Sequence, residues 1–252
     1  VLAYVLTALL ALHTHYYAAY VILALNLFVL LEAVFVPAAR GRVLPWLLWQ
    51  VFLLALYLPW LLRAGAILTG YSGNGDSPSL LDALQRALAV FAAGESIPPE
   101  QRLWWALAAA ALLLLGVLRL ALGSSEERRA LILLGLYLGV PLLATWLGAQ
   151  ARPIFNERYL VAALPPFYLL IAAGIDPWPL AQPWRRVAPL FAALLGIILL
   201  LGGGLSLARY YGDPAYSKTR GWRDLAAAIT RLSDGLPPES VRVAQNFPDP
   251  TL

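Results

Sequence analysis

The chain has 252 residues, of which 61% are hydrophobic and only 13% are charged. A soluble globular domain is about half apolar and about a quarter charged, so the composition excludes an ordinary soluble domain. No cysteine is present, which excludes disulfides, thiol catalysis and cysteine metal sites. The net charge of +4 comes without a basic patch interleaved with aromatic residues, so no nucleic-acid partner is expected.

The apolar residues are gathered into runs of about 20, the length at which a helix crosses roughly 30 Å of hydrocarbon. The first run, at 1–12, is too short to span a membrane and is expected to be the end of a truncated helix. Six longer runs predict transmembrane helices at 18–35, 44–62, 103–122, 130–150, 159–175 and 187–207. The expected fold class is an all-α polytopic membrane protein with about seven transmembrane helices, in the membrane of a cell envelope.

Two segments of the chain are not membrane-like. In the loop at 63–102, Leu80, Leu84, Leu88 and Phe91 recur at helical spacing, which predicts a short interfacial helix. From 209 to 252 the chain becomes polar, and we expect one helix and one strand there. The sequence therefore predicts a transmembrane domain at 1–208 and the start of a small soluble α/β domain, truncated, at 209–252.

The loop charges predict the orientation of the helices. Because consecutive spans alternate in direction, the three arginine pairs at 40 and 42, 128 and 129, and 185 and 186 share one side. The short loops of the other side hold only Arg152 and Arg158. Cytoplasmic loops carry the excess of Lys and Arg, so the first set is expected in the cytoplasm. The turn at 13–17, the loop at 63–102, the segment at 152–159 and the tail are then extracytoplasmic.

The most polar short loop is the segment at 152–159, RPIFNERY, called the octet below. Its two arginines suit a phosphate group, because the guanidinium is planar and always charged. Arg152 and Arg158 are therefore candidate substrate-binding residues. The alternative is that they reach lipid headgroups or pair with Glu157.

A second polar cluster, His13, His15 and Tyr16, stands where the first helix ends. The two histidines could bind a divalent metal or a phosphate. Two ligands do not make a metal site, so hydrogen bonding to substrate or headgroups is the favoured interpretation, and no cofactor is assigned. Tyr16 is expected in the aromatic belt at the membrane surface, where it would also suit a sugar or a prenyl chain.

Three motifs in register resemble a known family. They are LHTHYYA at 12–18, RP…ERYL…LP at 152–165, and Y…GWRDLA at 216–226. This pattern is similar to bacterial polyprenyl-phosphate-sugar-dependent membrane glycosyltransferases, which are related to the dolichyl-phosphate-mannose protein mannosyltransferases and the lipid A aminoarabinose transferases. The resemblance covers nearly the whole chain.

The resemblance implies an inverting sugar transfer from a polyprenyl-phosphate donor to a lipid, glycan or protein acceptor outside the cytoplasm of a bacterium. It also implies a catalytic carboxylate in an external loop that would precede Val1, so the chain is expected to be a fragment without that loop. Within the chain, Glu157 and Asp76 are the weaker candidates for a catalytic base. The alternative function is a carrier or flippase for lipid-linked glycans, although no internal repeat typical of transporters is present.

Overall fold

The computed structural model describes residues 1–70, 72–73, 75–176, 178–179, 184–213, 215–216, 222–237 and 240, and most of them are helical. In this part of the chain the α-helices are α1 Leu2–Thr14, α2 Ala18–Phe35, α3 Val43–Gly70, α4 Leu80–Ala93, α5 Arg102–Ala121, α6 Ser125–Ala151, α7 Leu164–Ile175, α8 Trp184–Gly212 and α9 Trp222–Ser233. Short 3-10 helices lie at Pro37–Arg42, Pro99–Gln101 and Glu157–Ala163. The described residues contain no β-strand beyond an isolated bridge between Asp76 and Phe155.

Six helical segments of the described chain are long and apolar enough to cross a membrane. They are Ala18–Phe35, Pro37–Gly65, Pro99–Ala121, Ser125–Ala151, Glu157–Ile175 and Arg185–Gly212. Their outer surfaces are covered by exposed leucine, isoleucine, valine and phenylalanine, which suits contact with lipid chains. The protein is therefore a multi-pass helical membrane protein, and the predicted all-α class is confirmed. The predicted short first helix corresponds to α1, which has 13 residues.

The helix boundaries depend on capping side chains and prolines, which the hydropathy pattern does not show. α6 begins at Ser125, earlier than the predicted 130, because Ser124 and Glu127 form a capping box that extends the helix into the charged loop. The predicted sixth span starts as the 3-10 helix Glu157–Ala163 and becomes α7 only at Leu164. Pro165 and Pro166 then lie in the first turn, where a missing N–H costs no hydrogen bond.

The predicted helix of the long loop is confirmed as α4. Ser79 caps its N-terminus, with a hydroxyl that accepts from the N–H of Asp82 at 3.2 Å, and Gly94 caps its C-terminus. Its buried residues are mainly alanines, which let α4 pack closely against α5. Phe91 meets Phe167 of α7 at 5.4 Å between ring centroids. The apolar face that indicated an interfacial helix is therefore buried largely against protein.

The main core lies where α4 to α7 meet. Phe155, Phe167, Leu112 and Leu160 are each at most 1% exposed. α5 and α7 approach so closely that a Cβ at Gly116 would overlap the carbonyl of Leu170. Because Phe155 belongs to the octet, this polar loop is anchored in the core of the bundle.

By their contacts, the residues form two units, Val1–Ser206 and Leu207–Leu252. The first unit contains the helical bundle and the candidate site. In the second unit the described residues include the amphipathic helix α9 and turns but no strand, so the expected α/β character is not seen in this part of the chain. The expected strand lies outside the described residues.

Candidate functional site

The turn between α1 and α2 carries two histidines in different surroundings. His13 donates from Nδ1 to a backbone carbonyl one turn earlier at 2.9 Å, and its ring stands edge-on to Tyr57 of α3. His15 follows the end of α1 with an extended backbone and accepts at Nδ1 from the N–H of Tyr17 at 3.3 Å. Among the described residues, no three His, Asp or Glu side chains gather as metal ligands.

Aromatic rings from this turn and from the octet form one group, called the aromatic cluster below: His15, Tyr16, Tyr17, Tyr20 and Tyr159. His15 stacks on Tyr16 at 5.3 Å and lies 5.4 Å from Tyr159, and Tyr17 lies 5.1 Å from Tyr159. Tyr17 is buried, whereas Tyr16 is 43% exposed. Burial, reinforced by Tyr159 and Tyr20, raises the pKa of Tyr16, so its phenol keeps its proton. The cluster therefore presents an aromatic surface with hydroxyl groups.

The backbone of the octet is held by the loop before α4. The N–H of Gly75 donates to the carbonyl of Pro153 at 2.8 Å, and Asp76 and Phe155 exchange backbone hydrogen bonds of 3.1 and 3.3 Å. A Cβ at Gly75 would overlap the carbonyl of Phe155, so only glycine permits this approach. Tyr17 also donates to the carbonyl of Ile154 at 3.4 Å. The predicted polar segments of one membrane face are thus in direct contact.

Arg86 of α4 joins this loop to the octet. Its Nε donates to Glu157 at 2.6 Å, its Nη1 to Asp76 at 2.5 Å and more weakly to Asp82 at 3.5 Å. The guanidinium also lies 5.2 Å above the ring of Phe155. Burial alone would lower the pKa of Arg86, but the hydrogen bonds to Glu157 and Asp76 outweigh it and raise that pKa. Arg86 is therefore a charged clamp that positions the segment preceding Arg158.

Arg158 reaches in another direction, to the residue after α4. Its Nε lies 2.8 and 3.0 Å from the two carboxylate oxygens of Glu95. Its backbone N–H donates to the side chain of Asn156 at 3.1 Å, which caps the 3-10 helix. The side chain of Arg158 is 47% exposed, so its guanidinium stands at a solvent-accessible surface.

The segment around Glu95 rests on α8. Gly94 has a φ of +80°, and a Cβ there would lie 2.8 Å from the hydroxyl oxygen of Ser206. That hydroxyl accepts from the N–H of Ser96 at 3.1 Å, and both serines are buried. The conformation therefore requires glycine at 94 and fixes Glu95 beside α8.

Next to this segment lies an apolar groove of about 590 Å³, which we call the tail groove. It runs between α7 and α8, from Ala92, Tyr168 and Gly203 at one end to Ile175 and Ala193 at the other. The hydroxyl of Tyr168 is occupied in a hydrogen bond to the carbonyl of Phe91 at 2.9 Å. Ala92 lies three residues before Glu95, and Gly203 lies three residues before Ser206. One end of the groove is therefore close in sequence to the segment that carries Glu95, the partner of Arg158.

The predicted site residues lie in several different environments. His15 and Tyr16 join the octet through Tyr159, the neighbour of Arg158. His13 turns towards α3 instead. The two weaker catalytic candidates meet at Arg86. Arg152 ends α6, where its N–H bonds to the carbonyl of Gly148 at 3.2 Å, and its side chain is exposed.

Sequence reasoning missed three partners of the site: Glu95, Arg86 and Ser206. Arg86 carries a partial signal, since it follows Asp82 at i,i+4 on the predicted helix. Glu95 pairs across 63 residues, and nothing local in the sequence indicates this contact. Ser206 lies in an apolar run, and only the packing of α8 against the segment after α4 gives it a role.

No family model matches the chain, and comparisons with curated proteins and with solved structures also find no match.

Proposed function

We propose that the protein is a membrane glycosyltransferase that transfers a sugar from a polyprenyl-phosphate-linked donor to a lipid, glycan or protein acceptor. One observation carries the proposal. The tail groove ends at Ala92, three residues before Glu95; Glu95 pairs with Arg158, and Arg158 adjoins the aromatic cluster through Tyr159. A polyprenyl-phosphate sugar has three parts in the same order: an apolar chain, a phosphate and a sugar.

The tail groove suits the prenyl chain because its lining is apolar and its one hydroxyl, that of Tyr168, is already satisfied. Arg158 suits the phosphate because a guanidinium fork offers several donors and a permanent charge. Glu95 occupies that fork in part. The carboxylate of Glu95 resembles a phosphate in this respect, because both offer anionic oxygens that accept hydrogen bonds.

The aromatic cluster suits the sugar. One face of a pyranose ring presents C–H groups, which pack on the electron-rich face of an aromatic ring, while its hydroxyls need hydrogen-bonding partners nearby. Tyr16 offers an exposed ring and a protonated hydroxyl, and His15 lies against it. His15 accepts at Nδ1, so in its neutral form the proton lies on Nε2 as a further donor.

In the proposed reaction, the bond between the anomeric carbon and the phosphate oxygen breaks. A new bond forms from the acceptor hydroxyl to that carbon with inversion, and a base takes the hydroxyl proton. The phosphate leaves with growing negative charge, which an arginine stabilises. The family resemblance implies that the base is a carboxylate. Glu157 and Asp76 are both engaged by Arg86, so we assign the base to neither.

We place the site at the extracytoplasmic face of a bacterial plasma membrane. The three arginine pairs are predicted on the opposite face, which the positive-inside rule assigns to the cytoplasm. The sequence has no nucleotide-binding fingerprint, so we propose a lipid-linked sugar as the donor in preference to a nucleotide sugar.

Equilibrium binding of undecaprenyl phosphate and of undecaprenol to the purified protein in detergent tests the proposal. The two lipids share a tail, so we expect tighter binding of the phosphate form, and loss of that preference in Arg158→Ala. Equal affinity for both lipids in the wild type would contradict the proposal. A carrier would bind the same lipids but would move a lipid-linked glycan across liposomes without transferring its sugar, which separates the alternative function.

A further inference from the structure

The length of the tail groove follows from the helices that line it. On α8 it reaches from Gly203 to Ala193, ten residues apart, which at 1.5 Å of rise per residue is about 15 Å. On α7 it reaches from Tyr168 to Ile175, seven residues apart, or about 10 Å. A Cβ at Gly196 would lie 3.8 Å from Cδ1 of Ile175, so the last residue of α7 stands near the Ala193 end.

The groove is short compared with a polyprenyl chain. Such a chain repeats every four backbone carbons, so one extended isoprene unit covers roughly 5 Å. A groove of about 15 Å therefore takes about three units. An extended undecaprenyl chain, at roughly 55 Å, is several times longer than the groove and is longer than the roughly 30 Å of hydrocarbon in a bilayer. Most of such a chain must lie outside the groove.

The inner wall of the groove gives close contact with the part of the chain that enters. Its small residues are spread along the whole length, and they let a methyl-branched chain approach the helix backbones: Ala92, Ala172, Ala193, Gly196 and Gly203. Inside a membrane, lipid tails are as apolar as leucine, so binding is driven by close packing rather than by removal from water. Units inside the groove gain these packing contacts.

The outer side of the groove opens away from the protein. Ile197 is 54% exposed, Leu200 is 78% exposed and Ile175, near the Ala193 end, is 40% exposed. A chain that passes this end enters the surrounding lipid, which is as apolar as the groove. Further isoprene units therefore neither gain nor lose much free energy by their contact with the protein.

We propose that the tail groove recognises only about the first three isoprene units next to the phosphate. The inference rests on the proposed function, which puts the phosphate towards the Gly203 end. It defines the substrate class as polyprenyl phosphates of at least this length, with no selection among longer chains.

Equilibrium binding of geranyl, farnesyl, geranylgeranyl and undecaprenyl phosphates to the purified protein in detergent tests this inference. The four lipids share the phosphate and carry two, three, four and eleven isoprene units. Each affinity is expressed as a mole fraction in the micelle, so differences in solubility do not enter. We expect a rise of roughly threefold or more from geranyl to farnesyl phosphate, because the third unit gains packing contacts. From geranylgeranyl to undecaprenyl phosphate we expect a change of less than about twofold.

Two substitutions in α8 locate the chain along the groove. Gly203→Leu fills the end proposed for the phosphate and should weaken binding of all four lipids. Ala193→Leu fills the other end, about 15 Å away, and should weaken farnesyl and longer lipids by roughly threefold while geranyl phosphate binds as in the wild type. Retained binding of geranyl phosphate also shows that Ala193→Leu is folded. Both substitutions place the same side chain on the same helix, so each is the control for the other.

The outcomes separate this inference from the proposed function. If farnesyl phosphate binds no more tightly than farnesol, or if Gly203→Leu keeps the wild-type affinity for every lipid, the groove does not hold the donor and both fail. The three-unit limit alone is wrong if those two effects are present but affinity keeps rising from geranylgeranyl to undecaprenyl phosphate. It is also wrong if Ala193→Leu, with the wild-type thermal midpoint, weakens geranyl phosphate as much as farnesyl phosphate.

Discussion

Arg158 and Glu95 are 63 residues apart in sequence, yet the Nε of Arg158 lies 2.8 and 3.0 Å from the two carboxylate oxygens of Glu95. The pair lies at the position proposed above for a lipid phosphate. A carboxylate and a phosphate at this point compete for the same guanidinium. Glu95 therefore opposes binding of the phosphate, unless it also orients Arg158.

The first prediction follows from this competition. Glu95→Gln keeps the size of the side chain and removes its charge, so the carboxylate of Glu95 no longer competes for Arg158. We expect undecaprenyl phosphate to bind about two- to fivefold more tightly, the effect of an exposed ion pair. Equilibrium binding in detergent measures the change. Glu100→Gln, at an exposed position close by in the sequence, should have no effect. Weaker binding by Glu95→Gln would show that Glu95 orients Arg158 rather than competing with the phosphate.

The second prediction concerns the tail groove and uses two neighbouring glycines of α8. Gly203 lines the groove, and a Cβ there meets nothing within 4 Å, so Gly203→Leu should fold and fill the groove. Because the new side chain takes the place of several methylene groups of the lipid, we expect binding about tenfold weaker. Binding of undecaprenyl phosphate is the measurement.

Gly204→Leu is the matched control for this change. Gly204 also has open space around its Cβ position, but it does not line the groove. Both substitutions add the same side chain to the same helix, so they share any effect on helix stability. Equal losses in the two variants would contradict a lipid chain in the tail groove.

The third prediction concerns Arg86. Arg86→Gln leaves Glu157 and Asp76 without their shared cation, and the side chain of Arg86 is only 17% exposed. We expect a loss of roughly 1–3 kcal/mol in unfolding free energy, below the value for a fully buried pair because Asp76 is accessible to water. Thermal denaturation in detergent measures it. Asp82→Asn disturbs only the 3.5 Å contact and should change the midpoint little. A stable Arg86→Gln variant would show that the clamp does not hold the octet.

The fourth prediction tests the orientation. Ser72→Cys lies in the long loop and Ser125→Cys at the start of α6, and both positions are exposed in a chain without native cysteine. The capping box uses Ser124, so Ser125→Cys leaves it intact. An impermeant thiol reagent should label position 72 and spare position 125 in intact cells. Labelling with the reverse pattern would place the candidate site in the cytoplasm.

Hydropathy alone predicted the membrane helices because burial in lipid acts on every residue of a span in the same way. The ends of helices depend on single side chains instead. Ser124 and Glu127 extended α6, and Pro165 delayed α7, effects that average hydropathy does not record. For α4, the sequence predicted the helix and its apolar face. It does not say whether lipid or α5 covers that face.

The site was predictable only in part for a similar reason. Alternating spans place the turn at 13–17 and the octet on one face, and the structure joins them through Tyr17 and Tyr159. The pairing of Arg158 with Glu95 depends instead on the path of the chain after α4, which Gly94 and Ser206 determine. Long-range contacts of this kind arise from packing, and no local pattern encodes them.

The last prediction concerns the role of Arg158 in the reaction, measured in a preparation that transfers sugar. Negative charge grows on the bridging phosphate oxygen as the sugar departs. An arginine at that oxygen stabilises the transition state more than the bound donor, so its loss lowers kcat. An arginine that only holds the phosphate changes KM instead.

We therefore expect Arg158→Lys to be impaired, because lysine keeps the charge but lacks the fork, and Arg158→Ala to lose roughly 10²-fold or more in kcat/KM. Arg152→Ala should lose less. Arg152 is exposed at the end of α6, whereas Arg158 lies in a 3-10 helix that Asn156 caps and that follows the clamp of Arg86. Steady-state kinetics with a polyprenyl-phosphate sugar measures both variants. If Arg158→Ala, folded and inserted in the membrane, keeps the wild-type kcat/KM, the octet connects two helices and takes no part in sugar transfer.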